Sequence, residues 1–254
     1  MPENFSFTSL DKLFEKIVAA VVKGVGSDIR DYLAENPDET DNALKYLRGD
    51  KINTNLRNYV VSDTVEMKPF KRCSWKGRVL IDREHKRTIT ICTEQTLLAI
   101  AKRKNRSCPH YLMSIVNVEN QDVTIAYEQL SFLPDITRFS QDDYQHDFQD
   151  IMENEVNSGD DYKHLVVVYE RRGLEVINIS AKLLDKNLDT CMEYSLDRFI
   201  KPDFGDLTAE SDEAEMKQND VHSLVTVKGM EANNVTTPKQ AGLVTAKGQE
   251  AKQA

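Results

Sequence analysis

Residues 78–94 read Arg78-Val-Leu-Ile-Asp-Arg-Glu-His-Lys-Arg-Thr-Ile-Thr-Ile-Cys-Thr-Glu94, and this stretch decides the fold class. Two apolar runs rich in β-branched residues, at positions 78–81 and 88–92, flank a charged turn at positions 82–87. This pattern predicts a β-hairpin. Thr93 and Glu94 then provide an N-cap and an acidic first turn, so a helix is expected to follow the second strand directly.

Three helices are predicted before this hairpin. The second covers residues 29–35, and the third begins near residues 38–40 and extends to about residue 56. The first helix, with Ser9 as its expected N-cap, carries a wide apolar stripe at spacings of three and four residues, made of Leu10, Leu13, Phe14, Ile17, Val18, Val21, Val22 and Val25.

A second pair of strands is predicted at residues 164–169 and 174–180, joined by the turn Arg171-Arg-Gly173. Residues 111–116 fit either a strand or a helix, and residues 141–162 are acidic without a clear period. Helices followed by strands mixed with one or two helices indicate an α+β fold. We expect N-terminal helices packed on a small mixed or antiparallel sheet, as a single domain over residues 5–204.

The C-terminal fifth of the chain has a different composition. Residues 205–254 contain no Phe, Tyr or Trp. Such a segment buries too little apolar surface to offset its ordering entropy, so a disordered tail is predicted. A short apolar island at residues 222–228 fits either a weak strand or a partner-binding motif.

Composition argues against several classes of protein. No run of about 18 apolar residues occurs, and the first residues are acidic, so neither a membrane span nor a signal peptide is expected. The four cysteines form no Cys-x-x-Cys pair and have no histidine at zinc-ligand spacing: Cys73, Cys92, Cys108 and Cys191. We therefore expect free thiols in a cytoplasmic protein, with no metal or other cofactor.

The charge is distributed unevenly along the chain. Residues 68–110 contain twelve lysines and arginines but only three acids, a net charge of +9, whereas the whole chain carries −9. The remainder therefore carries −18. Two basic stretches, at positions 68–78 and 101–106, hold most of these cations, and Phe70 and Trp75 are interleaved with the first.

Cations neutralise phosphates and aromatic rings stack on unpaired bases, so this region predicts a non-enzymatic protein that binds DNA or RNA. The alternative is a solvated face, or one paired internally with the acids of residues 141–162. The predicted interface consists of Arg48, Arg57, Lys71, Arg72, Trp75, Lys76, Lys102, Arg103 and Arg106.

A second hypothesis is an enzyme or small-ligand site in the dense polar cluster at residues 48–58. On a helix, Asp50, Asn53 and Arg57 would share one face, and His110 would supply a base. The structural alternative is a capping network with Asn53 or Thr54 as N-cap. No common catalytic motif occurs, so an enzyme is disfavoured. A third hypothesis is a protein partner bound through the tail or residues 141–162.

Several stretches resemble an uncharacterised bacterial family described only as a domain of unknown function. They are Tyr46-Leu-Arg-Gly-Asp-Lys-Ile-Asn-Thr-Asn55, Trp75-Lys-Gly-Arg-Val-Leu-Ile-Asp82, Pro109-His-Tyr-Leu112, Ile115-Val-Asn-Val-Glu-Asn120 and the strand pair at residues 164–179. The resemblance spans about residues 10–203. It implies a bacterial origin and brings no activity, cofactor or site residues.

Overall fold

The structure of the chain, a computed structural model, describes residues 6–37, 41–72, 75–103, 106–124 and 139–201. Within them, six strands lie side by side in sequence order in one sheet. Neighbouring strands are antiparallel, except β3 and β4, which are parallel. The strands are β1 (Val65–Arg72), β2 (Trp75–Asp82), β3 (Arg87–Thr93), β4 (Lys163–Arg172), β5 (Glu175–Leu184) and β6 (Thr190–Ser195). The mixed sheet and the α+β class are as predicted.

Helices precede the sheet and are inserted between β3 and β4. β3 and β4 are parallel, and parallel strands need a long crossover connection. In this chain the described part of that connection contains three helices. The helices are α1 (Asp11–Val25), α2 (Ser27–Glu35), α3 (Leu44–Tyr59), α4 (Glu94–Lys102), α5 (Tyr111–Glu119) and α6 (Gln141–Met152), with short 3-10 turns at Thr8–Leu10, Asp41–Ala43 and Asp197–Phe199.

One face of the sheet is covered by α1 and α3. The apolar stripe of α1 is buried as the sequence predicts, with Phe14, Ile17 and Val18 fully inaccessible to solvent. These side chains share a core with alternate residues of the central strands, Ile89 on β3 and Leu165 on β4 among them. The N-terminal helices therefore pack on the sheet as expected.

The opposite face is covered by α4, α5 and α6. Val79 and Ile81 of β2 pack against α5 and α6, while Val166 and Val168 of β4 pack against α4 and α5. The sheet thus lies between two helical layers. The sequence predicted only the first of them in full, because α6 was not recognised in the acidic segment.

The central hairpin is confirmed. Asp82 and Arg87 close the β2–β3 pair, and the buried carboxylate of Asp82 accepts hydrogen bonds from the backbone amides of Glu84 and His85. Thr93 caps α4 by accepting a hydrogen bond from Thr96 N, as predicted. The second strand pair also forms, and Gly173 occupies its turn with a φ of 61°.

Four local expectations are corrected. Ser9 lies in the initial 3-10 turn and donates to Ser6 O, so it does not cap α1. Asn53 and Thr54 lie inside α3 and are not N-caps. The basic stretch that begins at Lys68 was not assigned a strand, but it forms β1 and the start of β2.

The fourth correction concerns α6, where the period was obscured by charge. Its apolar face consists of Tyr144, Phe148, Ile151 and Met152 at helical spacing. Ser140 and Asp143 form a reciprocal capping box at its start, the signature that marks this helix in the sequence. The segment 111–116, which fitted two states, is helical as part of α5. The predicted tail at 205–254, with its apolar island at 222–228, lies outside the described residues.

Candidate nucleic-acid interface

The outer half of the β1–β2 hairpin extends past the rest of the sheet. β1 and β2 pair along their whole length, from Val65↔Asp82 to Arg72↔Trp75. β2 pairs with β3 only at Leu80, Ile81 and Asp82. Residues 69–72 and 75–78 therefore form a two-stranded ribbon, which we call the β1–β2 ribbon.

The two faces of the β1–β2 ribbon differ in charge because successive strand residues point to opposite faces. Lys71 lies directly opposite Lys76, and Pro69 lies opposite Arg78. All four side chains point to the face of the sheet that, beyond the ribbon, is covered by α1 and α3. Lys71 and Lys76 are exposed. Like charges placed directly opposite each other repel, so this face of the ribbon favours a bound anion.

The other face of the ribbon carries an aromatic cluster. Phe70 lies opposite Gly77, and a Cβ at Gly77 would be 2.2 Å from Phe70 Cζ and 2.7 Å from Trp75 Cζ3. The two rings therefore rest on the bare glycine backbone. Tyr111 of α5 stacks on Trp75, with ring centroids 5.1 Å apart and planes 24° apart. Trp75 remains 47% exposed.

Several cations of the basic region are held by acids from the chain that follows α5. The Arg72 guanidinium lies 2.7 Å from Asp147 of α6 and also donates to Pro109 O. The other two pairs are Lys68 with Glu153 at 2.5 Å and Arg83 with Glu155 at 2.7 Å, the latter arginine also binding Glu66 at 2.8 Å. Internal pairing, the alternative raised from the sequence, thus applies to these three cations.

Arg106 is engaged by the backbone. It donates to Ile100 O at 3.1 Å, and burial, followed by the nearby charge of Arg103, lowers the pKa of its guanidinium. Its neighbour His110 is the N-cap of α5 and accepts a hydrogen bond from Leu112 N at its Nδ1. Burial, helped by Arg106 and Arg72, lowers the pKa of His110 to about 4. The imidazole is therefore neutral near pH 7, and its Nδ1 is occupied.

Five of the predicted interface cations are exposed: Arg57, Lys71, Lys76, Lys102 and Arg103. Among the described residues, no carboxylate forms an ion pair with any of them. A phosphate could reach these five without displacing an ion-pair partner. Arg57 lies on α3, and the other four lie on the ribbon or at the end of α4.

The nine predicted interface residues fall on two sides of the sheet. Arg48 and Arg57 belong to α3, and the charge of Arg48 acts on Tyr169 of β4. Lys71 and Lys76 point to that same side at the ribbon. On the other side, Tyr111 contacts both Trp75 and His110. The charge of Arg106 acts on His110, and that of Arg103 acts on Arg106. Arg72 and Lys102 belong to this side as well.

The alternative polar site is not assembled in the structure. Asp50, Asn53 and Arg57 lie on α3, in the layer formed with α1. His110 begins α5, which packs on the opposite face of the sheet. The four side chains do not converge. The buried member of the polar cluster is Asn55, whose amide donates to Asp28 at 2.7 Å and joins α3 to α2.

Two contributors were not singled out from the sequence. Tyr111 holds Trp75, and Asp147 holds Arg72 while also accepting a hydrogen bond from Ser114 of α5. Neither has a local signal, since both act through contacts between distant segments. For Asp147, the capping box that begins α6 indicates that the residue lies on a helix. It does not indicate which cation the carboxylate pairs with.

A buried polar network lies beneath α5, away from the ribbon. The hydroxyl of Thr88 donates to Glu119 and lies 2.7 Å from His164 Nδ1, while Thr90 Oγ1 lies 2.9 Å from His164 Nε2. Burial raises the pKa of Glu119 to about 8 and lowers that of His164 to about 3. Both groups are therefore neutral at neutral pH. Their inaccessibility makes them part of the core, not a site for a ligand.

The cysteines that the structure describes are free: Cys92, Cys108 and Cys191. Burial raises the pKa of the Cys92 thiol to about 12, as expected for a residue that serves as a small apolar side chain in the sheet. Cys73 lies outside the described residues. Across the described ranges, no helix combines the length and apolar character needed to cross a bilayer.

Comparison with known proteins gives one match. A family model described as a family of unknown function (DUF5986) matches residues 6–245. No curated protein and no solved structure matches the chain.

Proposed function

We propose a function from the geometry alone, because the chain belongs to DUF5986, a family of unknown function that supplies no activity. The proposed function is the binding of nucleic acid through the β1–β2 ribbon and the adjacent end of α4. The observation that carries it is that four cations at these two places are exposed and have no ion-pair partner among the described residues: Lys71, Lys76, Lys102 and Arg103.

The physical basis is the release of counterions from phosphates. Each phosphate that a lysine or arginine neutralises releases a condensed cation, so affinity falls as the salt concentration rises. A chain with a net charge of −9 would repel a polyanion unless its cations were gathered locally. The pairs of Arg72, Lys68 and Arg83 hold α6 and the acids that follow it beside the hairpin, so in this proposal the strand lies along the exposed cations.

This proposal also places the protein in a bacterial cytoplasm, where nucleic acid is accessible and thiols stay reduced.

The test is a titration of a fluorescently labelled oligonucleotide with the full chain, followed by anisotropy at several salt concentrations. Wild-type protein should bind at low salt and lose affinity steeply as salt rises. The double reversals K71E/K76E and K102E/R103E should each weaken binding by about tenfold or more. If both cations of a pair contact phosphates of a single strand, the salt slope should fall by about 1.4.

The control is K12E/K16E, which reverses two exposed lysines of α1 and changes the net charge equally. It should bind within about twofold of wild type. Arg72 is left unchanged, since its loss would leave Asp147 unpaired and disturb the packing of α6. Equal losses for the control and for the two interface variants would mean that net charge alone is responsible. Absence of binding at low salt would eliminate the proposal.

A further inference from the structure

Trp75 is the only tryptophan of the chain and has an unusual environment for a large apolar side chain. Tyr111 stacks against its ring, and Phe70 meets it edge-on at 71°, with centroids 5.6 Å apart. Gly77 gives the ring a flat backbone to rest on. The side chain is nevertheless 47% exposed. The ring is thus held by three neighbours while nearly half of the residue stays exposed.

We infer that the open part of the Trp75 ring is a stacking platform for an unpaired base, so that the ligand of this interface is single-stranded nucleic acid. The inference rests on the proposed function. Bases in a duplex are already stacked on one another, whereas an unpaired base gains by stacking on an aromatic ring. An indole presents the largest such ring, and every base has a face to stack on it.

The arrangement keeps the entropic cost of binding low. A flexible exposed tryptophan would lose rotamer freedom when a base stacked on it. Here Tyr111, which is itself held between the two cores on the α5 side of the sheet, fixes the indole before a ligand arrives. Phe70 is 5% exposed and buttresses the second side. The platform is therefore pre-formed by three aromatic side chains from two distant segments.

The exposed cations stand where the flanking phosphates would pass. Lys76 follows Trp75 directly in β2, and Lys71 lies opposite Lys76 across the ribbon. On the other side, the charge of Arg103 acts on Arg106 and that of Arg106 acts on His110, whose ring lies against Tyr111. A strand that crosses the ribbon with one base on Trp75 has lysines on one side and the end of α4 on the other.

The closing experiment uses the intrinsic fluorescence of Trp75 in the full-length protein. Three probes are titrated at low salt: an oligothymidylate of about 16 nucleotides, the upper end of site sizes for single-strand binders, its duplex with oligodeoxyadenylate, and heparin, a polyanion without bases. The single strand should quench the fluorescence and bind at least about tenfold more tightly than the duplex. Heparin should bind without quenching to the same extent.

Two variants test the ring itself by anisotropy. W75L should lose about tenfold or more in affinity for the single strand, while its affinity for heparin stays within about twofold of wild type and its far-ultraviolet circular dichroism spectrum is unchanged. W75F keeps an aromatic face and should recover most of the loss. Equal affinity for single strand and duplex, unchanged in W75L, would overturn the stacking inference and leave the electrostatic function standing. Failure of all three probes to bind would overturn both.

Discussion

At the residue scale, the most consequential groups outside the interface are Glu119 and His164, two titratable side chains in the core. The Glu119 side chain is 2% exposed and that of His164 is fully buried, so burial disfavours the charged form of each. One oxygen of Glu119 has no hydrogen-bond partner among the described residues. A charged carboxylate at this position would therefore be doubly unfavourable, and the fold requires the neutral acid.

These two groups predict how stability depends on pH. Glu119 has a pKa of about 8 in the folded chain against 4.5 ordinarily, so stability falls as pH rises from 4.5 to about 8. His164 has a pKa of about 3 against 6.5, so stability falls as pH drops from 6.5 to about 3. Between pH 4.5 and 6.5 the two slopes cancel. Above 6.5 the free energy of unfolding should decrease by about 1.4 kcal/mol per pH unit.

The measurement is urea unfolding of wild type and E119Q at half-unit steps from pH 4 to pH 8.5. The glutamine keeps the hydrogen bond to Thr88 and removes the ionisation. Its stability should rise up to about pH 6.5, where His164 becomes neutral in the unfolded chain, and then stay level. E84Q, at an exposed glutamate of the β2–β3 turn, is the matched control and should follow wild type. If the stability of E119Q still declined above pH 6.5, a group other than Glu119 would be responsible for the decline.

At the element scale, the packing of α1 on α3 depends on one glycine. A Cβ on Gly24 would lie 2.8 Å from Ile52 N and 2.9 Å from Ile52 Cα. These are backbone atoms of the facing helix, which cannot rotate away as a side chain does. Gly24 thus sets how closely the two helices approach, and through them how the first helical layer covers the sheet.

We predict that a glycine-to-alanine substitution has opposite effects on the free energy of unfolding at Gly24 and at Gly49. G24A should lower the free energy of unfolding by about 2 kcal/mol or more, because the helices must separate. G49A lies in α3 with no atom within 4 Å of the added methyl group, so it should raise stability by about 0.5–1 kcal/mol through helix propensity. The measurement is the free energy of unfolding of both variants and of wild type by chemical denaturation. Equal effects at the two sites would show that helix propensity, not contact, governs Gly24.

At the scale of the whole molecule, the basic segment and the acidic segment of the sequence form ion pairs with each other. The acidic chain around α6 packs beside the basic β1–β2 hairpin and neutralises Arg72, Lys68 and Arg83. Exposed ion pairs contribute little individually, but Arg72 and Asp147 are both largely buried and hold α6 against the ribbon.

A prediction at this scale concerns the C-terminal fifth of the chain. Among the residues that the structure describes, the buried apolar ones run from Phe7 to Leu196, and contact clustering separates residues 1–202 from residues 203–254. A chain ending at residue 202 should therefore unfold at the same urea concentration as the full chain, and its far-ultraviolet spectrum should keep its helical and strand signals. A loss of more than about 1 kcal/mol on truncation would show that residues 203–254 contribute to the core.

The proposed site was only partly predictable from the sequence. Trp75 and the clustered cations stand out in composition, and five of the eight predicted cations are exposed without ion-pair partners among the described residues. The roles of Tyr111 and Asp147 were not predictable, since each acts on a side chain more than thirty positions away. The separation of Arg48 and Arg57 from Trp75 likewise follows from the side of the sheet on which α3 packs.

The sequence by itself determined the elements with strong local patterns: the stripe of α1, the hairpin around residues 82–87, the cap of α4 at Thr93 and the strand pair β4–β5. Each rests on interactions between near neighbours, namely periodic burial, turn chemistry and capping. The tertiary structure alone decided the parallel pairing of β3 with β4, the second helical layer and the division of the cations into paired and exposed. These depend on contacts between segments distant in the chain, which local patterns do not encode.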